Sequence, residues 1–343
     1  MFLKGINYDV GSYFRKGKLS RPDFIEADIK KEMEIIRNEL HCDAVRISGY
    51  DIQRLTKASE YALEQGLQVW LSPACIDLTG EEALKHLVDC AKAAERLRLK
   101  YRDLILVVGC EYSLYLKGFL KGETLYDRLK IMFNPFGIFL NMTGLRRNMY
   151  RKLNLFLGEI VQKVRHEFLG KLTYASGTWE NINWDNFDYI GIDHYRASYN
   201  KSNYSKQIAA YYKFNKPVCL LEFGCCTFKG AEDKGGAGWA ITEFKDGRMV
   251  IKGQFVRDED VQSDYLIDLL NIFGSQKVYA AFVFTFVNPR YKFNTNPLYD
   301  LDMASYGIVK PVDATNQDSY KGLPWIPKKA FYSLAEYYKG TRD

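Results

Sequence analysis

Two glutamates stand out because each closes an otherwise apolar run. "LILVVGCE" (104–111) ends in Glu111, and "KPVCLLEFG" (216–224) carries Glu222 just before its final two residues. A carboxylate at the end of a buried strand is costly unless it is paired or neutralised, so each position calls for a partner or a task. Neighbouring runs end in polar residues too: Asn7 and Asp9 in "FLKGINYDV" (2–10), Arg46 in "DAVRISG" (43–49), and Asp193, His194 and Tyr195 in "DYIGIDHY" (188–195). Trp179 and Glu180 follow "KLTYASG" (171–177). Two facing carboxyl groups, one protonated and one ionised, can act as acid and nucleophile on a single bond. Arg46 is suited to orient Glu222, since an arginine on a buried strand needs a carboxylate partner.

The elements that must bring these residues together alternate from one end of the chain to the other. The β-type runs named above are joined by "LQVWLSP" (67–73) and "VYAAFVFTFV" (278–287), giving eight strands. Between them lie apolar residues at helical spacing: Ile29, Met33, Ile36 and Leu40 in a helix expected over 23–40; Leu55, Ala58 and Ala62; Leu87, Ala91 and Ala94; Leu153, Leu157 and Ile160. Val261, Tyr265 and Leu269 mark another helix, and "PKKAFYSLAEYY" (327–338) the closing one. Ile208, Ala209 and Tyr212 mark a further helix, after the sixth strand. This pattern predicts about eight helical crossovers and a single (β/α)8 TIM barrel spanning 1–343. The crossover after strand 4 opens with a long loop-like stretch (112–148). The one after strand 7 holds a hairpin, "WAITEFKDGRMVIKGQF", turning at Asp246-Gly247. An open doubly wound sheet is the alternative, but "DVGSYFRKGK" after the first strand is not the glycine-rich phosphate loop such a sheet would carry there. In a barrel the strands' C-terminal ends meet at one face, where all the residues singled out above would gather.

Composition narrows the function. Of 343 residues, 47% are hydrophobic and 26% charged, the balance of a soluble globular protein with ample core. The net charge of +6 is spread along the chain without a Lys/Arg run, so no nucleic-acid partner is expected. No stretch is long and apolar enough for a membrane span, and the N-terminus lacks a signal-peptide pattern. Seven cysteines at irregular spacing, including the adjacent Cys225 and Cys226, read as reduced, buried small residues of a cytoplasmic protein. With four histidines and no CxxC or HExxH, no metal site or cofactor is expected. "AEDKGGAG" (231–238) reads as a lid rather than a phosphate cradle.

A glutamate after strand 4, another after strand 7 in "LLEFG", an arginine on strand 2 and "HY" after strand 6 resemble the clan A retaining glycoside hydrolases. "KGINYDVG", "EFGCCTFKGAED", "DLDMASYGIVK" and "GLPWIPKKAFYSLAEYY" further resemble a bacterial family of glycosidase-like proteins labelled "abortive infection protein". The resemblance implies a retaining glycosidase, or a transglycosylase, acting on a small carbohydrate by double displacement, with Glu222 as nucleophile and Glu111 as acid/base. Two departures bear on substrate. Cys110 precedes Glu111 where clan A has Asn, and "FTFVNPR" replaces the usual tryptophan-ended eighth strand. Trp179 and Trp239 are the sugar-stacking candidates, and Glu180 is the alternative acid. A sugar-binding or phage-defence protein without turnover is the competing reading.

Overall fold

The computed structural model describes residues 2–14, 17–132, 144–313 and 315–340. Seven strands come first: β1 (Leu3–Gly11), β2 (Ala44–Gly49), β3 (Gln68–Pro73), β4 (Leu104–Cys110), β5 (Lys171–Gly177), β6 (Ile190–Asp193) and β7 (Val218–Phe223). The antiparallel hairpin β8 (Thr242–Lys245) and β9 (Arg248–Ile251) precedes β10 (Val278–Val283), which lies between β7 and β1 and closes an eight-stranded parallel barrel. The hairpin turns at Asp246 and Gly247, both at positive φ, as a two-residue turn matched to strand twist requires. A second small hairpin, β11 (Val309–Pro311) with β12 (Trp325–Pro327), lies outside the barrel and was not anticipated.

The crossovers carry α1 (Glu26–Asn38), α2 (Ile52–Glu64), α3 (Gly80–Tyr101), a helix pair α4 (Tyr112–Tyr115) and α5 (Leu125–Met132), then α6 (Gly144–Arg165), α7 (Tyr204–Ala209) and α8 (Glu259–Ser275). The chain closes on α9 (Lys329–Gly340). Helix α3 starts at a reciprocal cap, Thr79 with Glu82, and α8 starts at Asp258, whose carboxylate accepts from two backbone N–H groups. Two expectations need correction. The stretch after β4 contains α4 and α5 rather than loop alone, and its part at 133–143 lies outside the described residues. The crossover from β5 to β6 forms no helix: "ENINWDNF" folds into turns, with Asn183 accepting from the Asp185 N–H. The Lys216 ammonium pins those turns by donating to the carbonyls of Trp184, Asp185 and Phe187.

Two apolar layers hold the fold. Trp70, Val107, Ala175, Leu221 and Phe282 fill the barrel interior, with the Trp70 ring 5.1 Å from both Tyr189 and Phe282. Ile36, Ile47, Leu87, Leu106 and Leu269 belong to the larger cluster between strands and helices. This two-layer packing explains why the strands read as continuous apolar runs: both faces are buried.

Register shifts then decide which side chains face the mouth. Ile192 pairs with Leu220 but Asp193 with Glu222, so one extra β7 residue is accommodated between them. That bulge turns consecutive residues inward: Leu221 packs in the interior while Glu222 borders the cavity above it. A second shift lies between Val107 and Cys110 on β4. Gly109 sits there at φ 153°, where a Cβ would meet the Tyr112 ring at 2.2 Å, so only glycine fits.

Candidate active site

Arg46 is the hub of the barrel mouth. It is 1% exposed, and its Nη1 donates to Glu222 Oε1 at 2.8 Å, while its Nε reaches Ser72 Oγ at 3.3 Å. The bulge leaves the Leu221 carbonyl aimed inward, where it accepts from Asn7 Nδ2 at 2.8 Å and from Arg46 at 3.3 Å. Asn7 in turn accepts from Arg46 through Oδ1 at 3.4 Å. Tyr195 donates its hydroxyl to Glu222 Oε2 at 3.0 Å. Both oxygens of Glu222 are therefore engaged by donors.

Glu111 is held differently. It sits at φ 44°, an uncommon conformation for a side chain of its size, fixed by its N–H donating to the Ala175 carbonyl at 2.8 Å. Its side chain borders the same cavity as Glu222. Burial pushes its carboxyl well above the usual carboxylate range, and the charges of Asp193, Glu222 and Glu180 push it further, against Arg46. Such a group holds its proton more tightly than an exposed carboxyl does.

Asp193 completes the cluster. Its Oδ2 accepts from the Cys110 thiol at 3.3 Å, and its Oδ1 lies 3.7 Å from Arg46 with no hydrogen-bond partner. Burial and then the Glu222 charge raise its carboxyl well above the ordinary value. Cys110 is also 3.9 Å from Glu222 Oε1. Cys110, Asp193 and Glu222 bring three ligand-type atoms within 4.8 Å of one another, and the Arg46 guanidinium already serves both carboxylates as their cation, at 2.8 Å and 3.7 Å.

The cavity over this cluster has a volume of about 470 Å³. Leu129 from α5 and Met249 from the hairpin both border it. Trp179 and Trp239, both half-buried, line it as well. Trp179 is fixed by its Nε1 donating to Ser113 Oγ at 3.1 Å and by its carbonyl accepting from Tyr150 at 2.7 Å. Phe284 takes the place at the end of the eighth barrel strand where a tryptophan was missing, edge-on to Tyr195 and Tyr306.

The remaining candidates are placed elsewhere or otherwise occupied. Asp9 borders the cavity, but its carboxylate accepts from Ser12, Ser20 and the Gly11 N–H and so organises the loop after β1. His194 is on the outer side of β6: its ring stacks on Tyr204 at 4.3 Å, outside the cavity lining. Glu180 is buried behind the β4 turn, bonded to Tyr174 and the Ser113 N–H, and does not border the cavity. The glycine-rich 231–238 segment forms two 3₁₀ turns rather than a free lid. The Tyr306 hydroxyl ties it down, accepting from Gly238 N and donating to the Gly235 carbonyl. Sequence reasoning did not single out Ser72, Tyr115 or Tyr306, nor Cys110 as a partner of Asp193. Ser72 had a visible signal, its place at the end of the third strand run. All seven cysteines are free thiols. Among the described residues no helix is long and apolar enough to cross a membrane.

No family model matches the chain, and no curated protein does. Neither comparison links it to a family labelled "abortive infection protein". Solved structures do match. A GH113 β-1,4-mannanase aligns with a TM-score of 0.62 at 16% identity, over 98% of this chain and 99% of that one. A GH113 β-mannanase from Alicyclobacillus acidocaldarius gives 0.58 at 14%, over 99% and 97%. The β-glucuronidase of Parabacteroides merdae gives 0.59 at 13%, over 98% of this chain but 36% of the larger enzyme. At these identities the likeness is one of fold: a (β/α)8 barrel of the kind glycoside hydrolases use.

Proposed function

We propose that this protein is a retaining glycoside hydrolase, or a transglycosylase, acting on a short carbohydrate. The observation that carries the reading is the unequal treatment of two glutamates at one cavity. Glu222 receives Arg46 and Tyr195 on its two oxygens, whereas Glu111 is buried among like charges that favour its protonated form. In the first step the Glu222 carboxylate attacks the anomeric carbon while Glu111 gives its proton to the departing oxygen. In the second, the Glu111 carboxylate takes a proton from water or a sugar hydroxyl, whose oxygen attacks the same carbon and frees Glu222. Trp179 and Trp239 supply flat apolar faces for the sugar rings, and the walled cavity favours a short substrate. The mannanase and glucuronidase folds support a carbohydrate substrate without naming the sugar.

Azide rescue on an activated aryl glycoside tests the roles. Glu222→Ala should regain turnover and release a glycosyl azide of inverted configuration, because azide replaces the missing nucleophile. Glu111→Ala should still form the covalent intermediate and release the azide of retained configuration. Interchanged products would swap the roles. Sugar binding without turnover in the unaltered protein would instead favour a binding module.

A further inference from the structure

We propose that Glu180 is the positioning residue for Glu111: it clamps the turn that presents the acid and, through its own charge, sets how readily that acid releases its proton. The proposal rests on Glu111 being the acid/base.

Directly after Glu111 the chain enters a single helical turn, whose first N–H groups have no partner within that turn. Ser113 N donates to Glu180 Oε1 at 3.0 Å, and Tyr112 N donates to the Tyr174 hydroxyl at 2.6 Å. Tyr174 in turn donates its hydroxyl hydrogen bond to Glu180, 3.0 Å from Oε2 and 3.1 Å from Oε1. One carboxylate thus secures both orphaned N–H groups beside Glu111, one directly and one through a tyrosine. Trp179, its neighbour in sequence, adds the bond to Ser113 Oγ. Left-handed geometry at a glutamate persists only where the surroundings impose it, and these contacts do so.

Glu180 does this from outside the substrate cavity. It faces a second cavity of about 350 Å³ between the β5–β6 crossover and the segment after α7, and Thr178 lines both. Glu180 is therefore close enough to act on Glu111 electrostatically while remaining beyond the reach of the sugar. The groups around it are Tyr174 and Ser176 from β5, the Ser113 backbone, Tyr211 and Lys213 from the segment after α7, and the carboxyls of Glu111 and Asp193. No ion pair to Glu180 exists among the described residues, and burial pushes its carboxyl up to about 6. Above that pH it carries a charge that raises the Glu111 carboxyl.

Glu180→Gln separates the two roles, because the amide oxygen can accept the bonds Oε1 accepts now while the charge is gone. The pH profile of kcat/KM on an aryl glycoside should lose about half to one unit from its upper apparent pKa, with KM unmoved. Glu180→Ala should in addition lower kcat about 10- to 100-fold, through misplacement of Glu111. An unchanged upper limb in Glu180→Gln overturns the proposal, as does a change confined to KM. Carbon NMR of protein labelled at the glutamate carboxyls, with Glu111 assigned by Glu111→Gln, reads the same shift without turnover. If no substrate is hydrolysed, the glycosidase reading falls; if Glu111 titrates identically with and without the Glu180 charge, this proposal falls by itself.

Discussion

Two buried charge clusters stand on opposite terms in this molecule. In the segments that follow β9 and β10, Arg257, Lys310 and Lys328 meet Glu259, Asp300 and Asp302, three cations against three carboxylates, with contacts of 2.8–3.2 Å. At the mouth, Arg46 is the ion-pair partner of Glu222 and Asp193, and Glu111 stands beside them as a third carboxyl. The first cluster is matched and its members satisfy one another. The second is short of positive charge and leaves Asp193 Oδ1 without a hydrogen bond. Buried charge alone therefore does not mark a functional site; imbalance over an open cavity does.

The sharpest way to break this comparison is to remove one carboxylate from each cluster. Glu222→Gln should abolish turnover by at least about 10³-fold while leaving the protein folded, since Asp193 remains beside Arg46. Asp302→Ala should do the reverse. It strands Lys328, fully buried with it, and removes one of the three carboxylates that pair with Arg257, at a cost of about 3–5 kcal/mol with turnover per folded molecule unchanged. Urea unfolding and single-turnover kinetics on both variants check the pair. Equal stability losses would show that the mouth cluster is structural too.

His194 sharpens the contrast from the other face of β6. Burial pushes its imidazole down to about 4 from an ordinary value of 6.5, so the folded protein binds fewer protons there than the unfolded chain. The associated stability is present above pH 6.5 and is lost progressively as pH falls to 4, roughly 3 kcal/mol in all. Glu180 runs the opposite way: its raised carboxyl contributes stability present below about 4.5 and lost as pH rises through about 6. His194→Phe should abolish the acid loss in urea titrations at pH 7 and pH 4, while any loss of activity would place the imidazole in the site after all.

Much of this arrangement could be read from sequence because barrel strands announce themselves. Each is a short apolar run, and the polar residue that ends it has one face of the molecule to occupy, which is how Glu111, Arg46, Tyr195 and Glu222 came to be grouped. What escaped were features set by pairing rather than composition. The Leu221 bulge breaks the two-residue alternation, and no residue type signals it. His194 follows Asp193 directly, yet alternation sends it to the opposite face. Glu180 looks like a strand-end acid until its partners, 67 residues away at Ser113 and 6 away at Tyr174, take both of its oxygens. The matched cluster joins residues up to 51 positions apart and left no local trace.

The smallest expected effect tests the imbalance itself. Asp193 is held at the mouth by one thiol hydrogen bond and a 3.7 Å approach to a guanidinium that already serves Glu222 more closely. Its carboxyl is raised by burial first and by the Glu222 charge second, against the Arg46 charge and the Cys110 hydrogen bond, so its charged form is disfavoured where it stands. Asp193→Asn keeps the shape and the acceptor for Cys110 while removing the like charge. Stability at pH 7 should rise by about 1 kcal/mol, measured by urea unfolding. The upper limb of the kcat/KM profile should also move to lower pH, because Asp193 is the largest single charge holding the Glu111 proton in place. A destabilised variant would mean that the Asp193 charge is compensated as fully as that of Asp302, and the distinction between the two clusters would collapse.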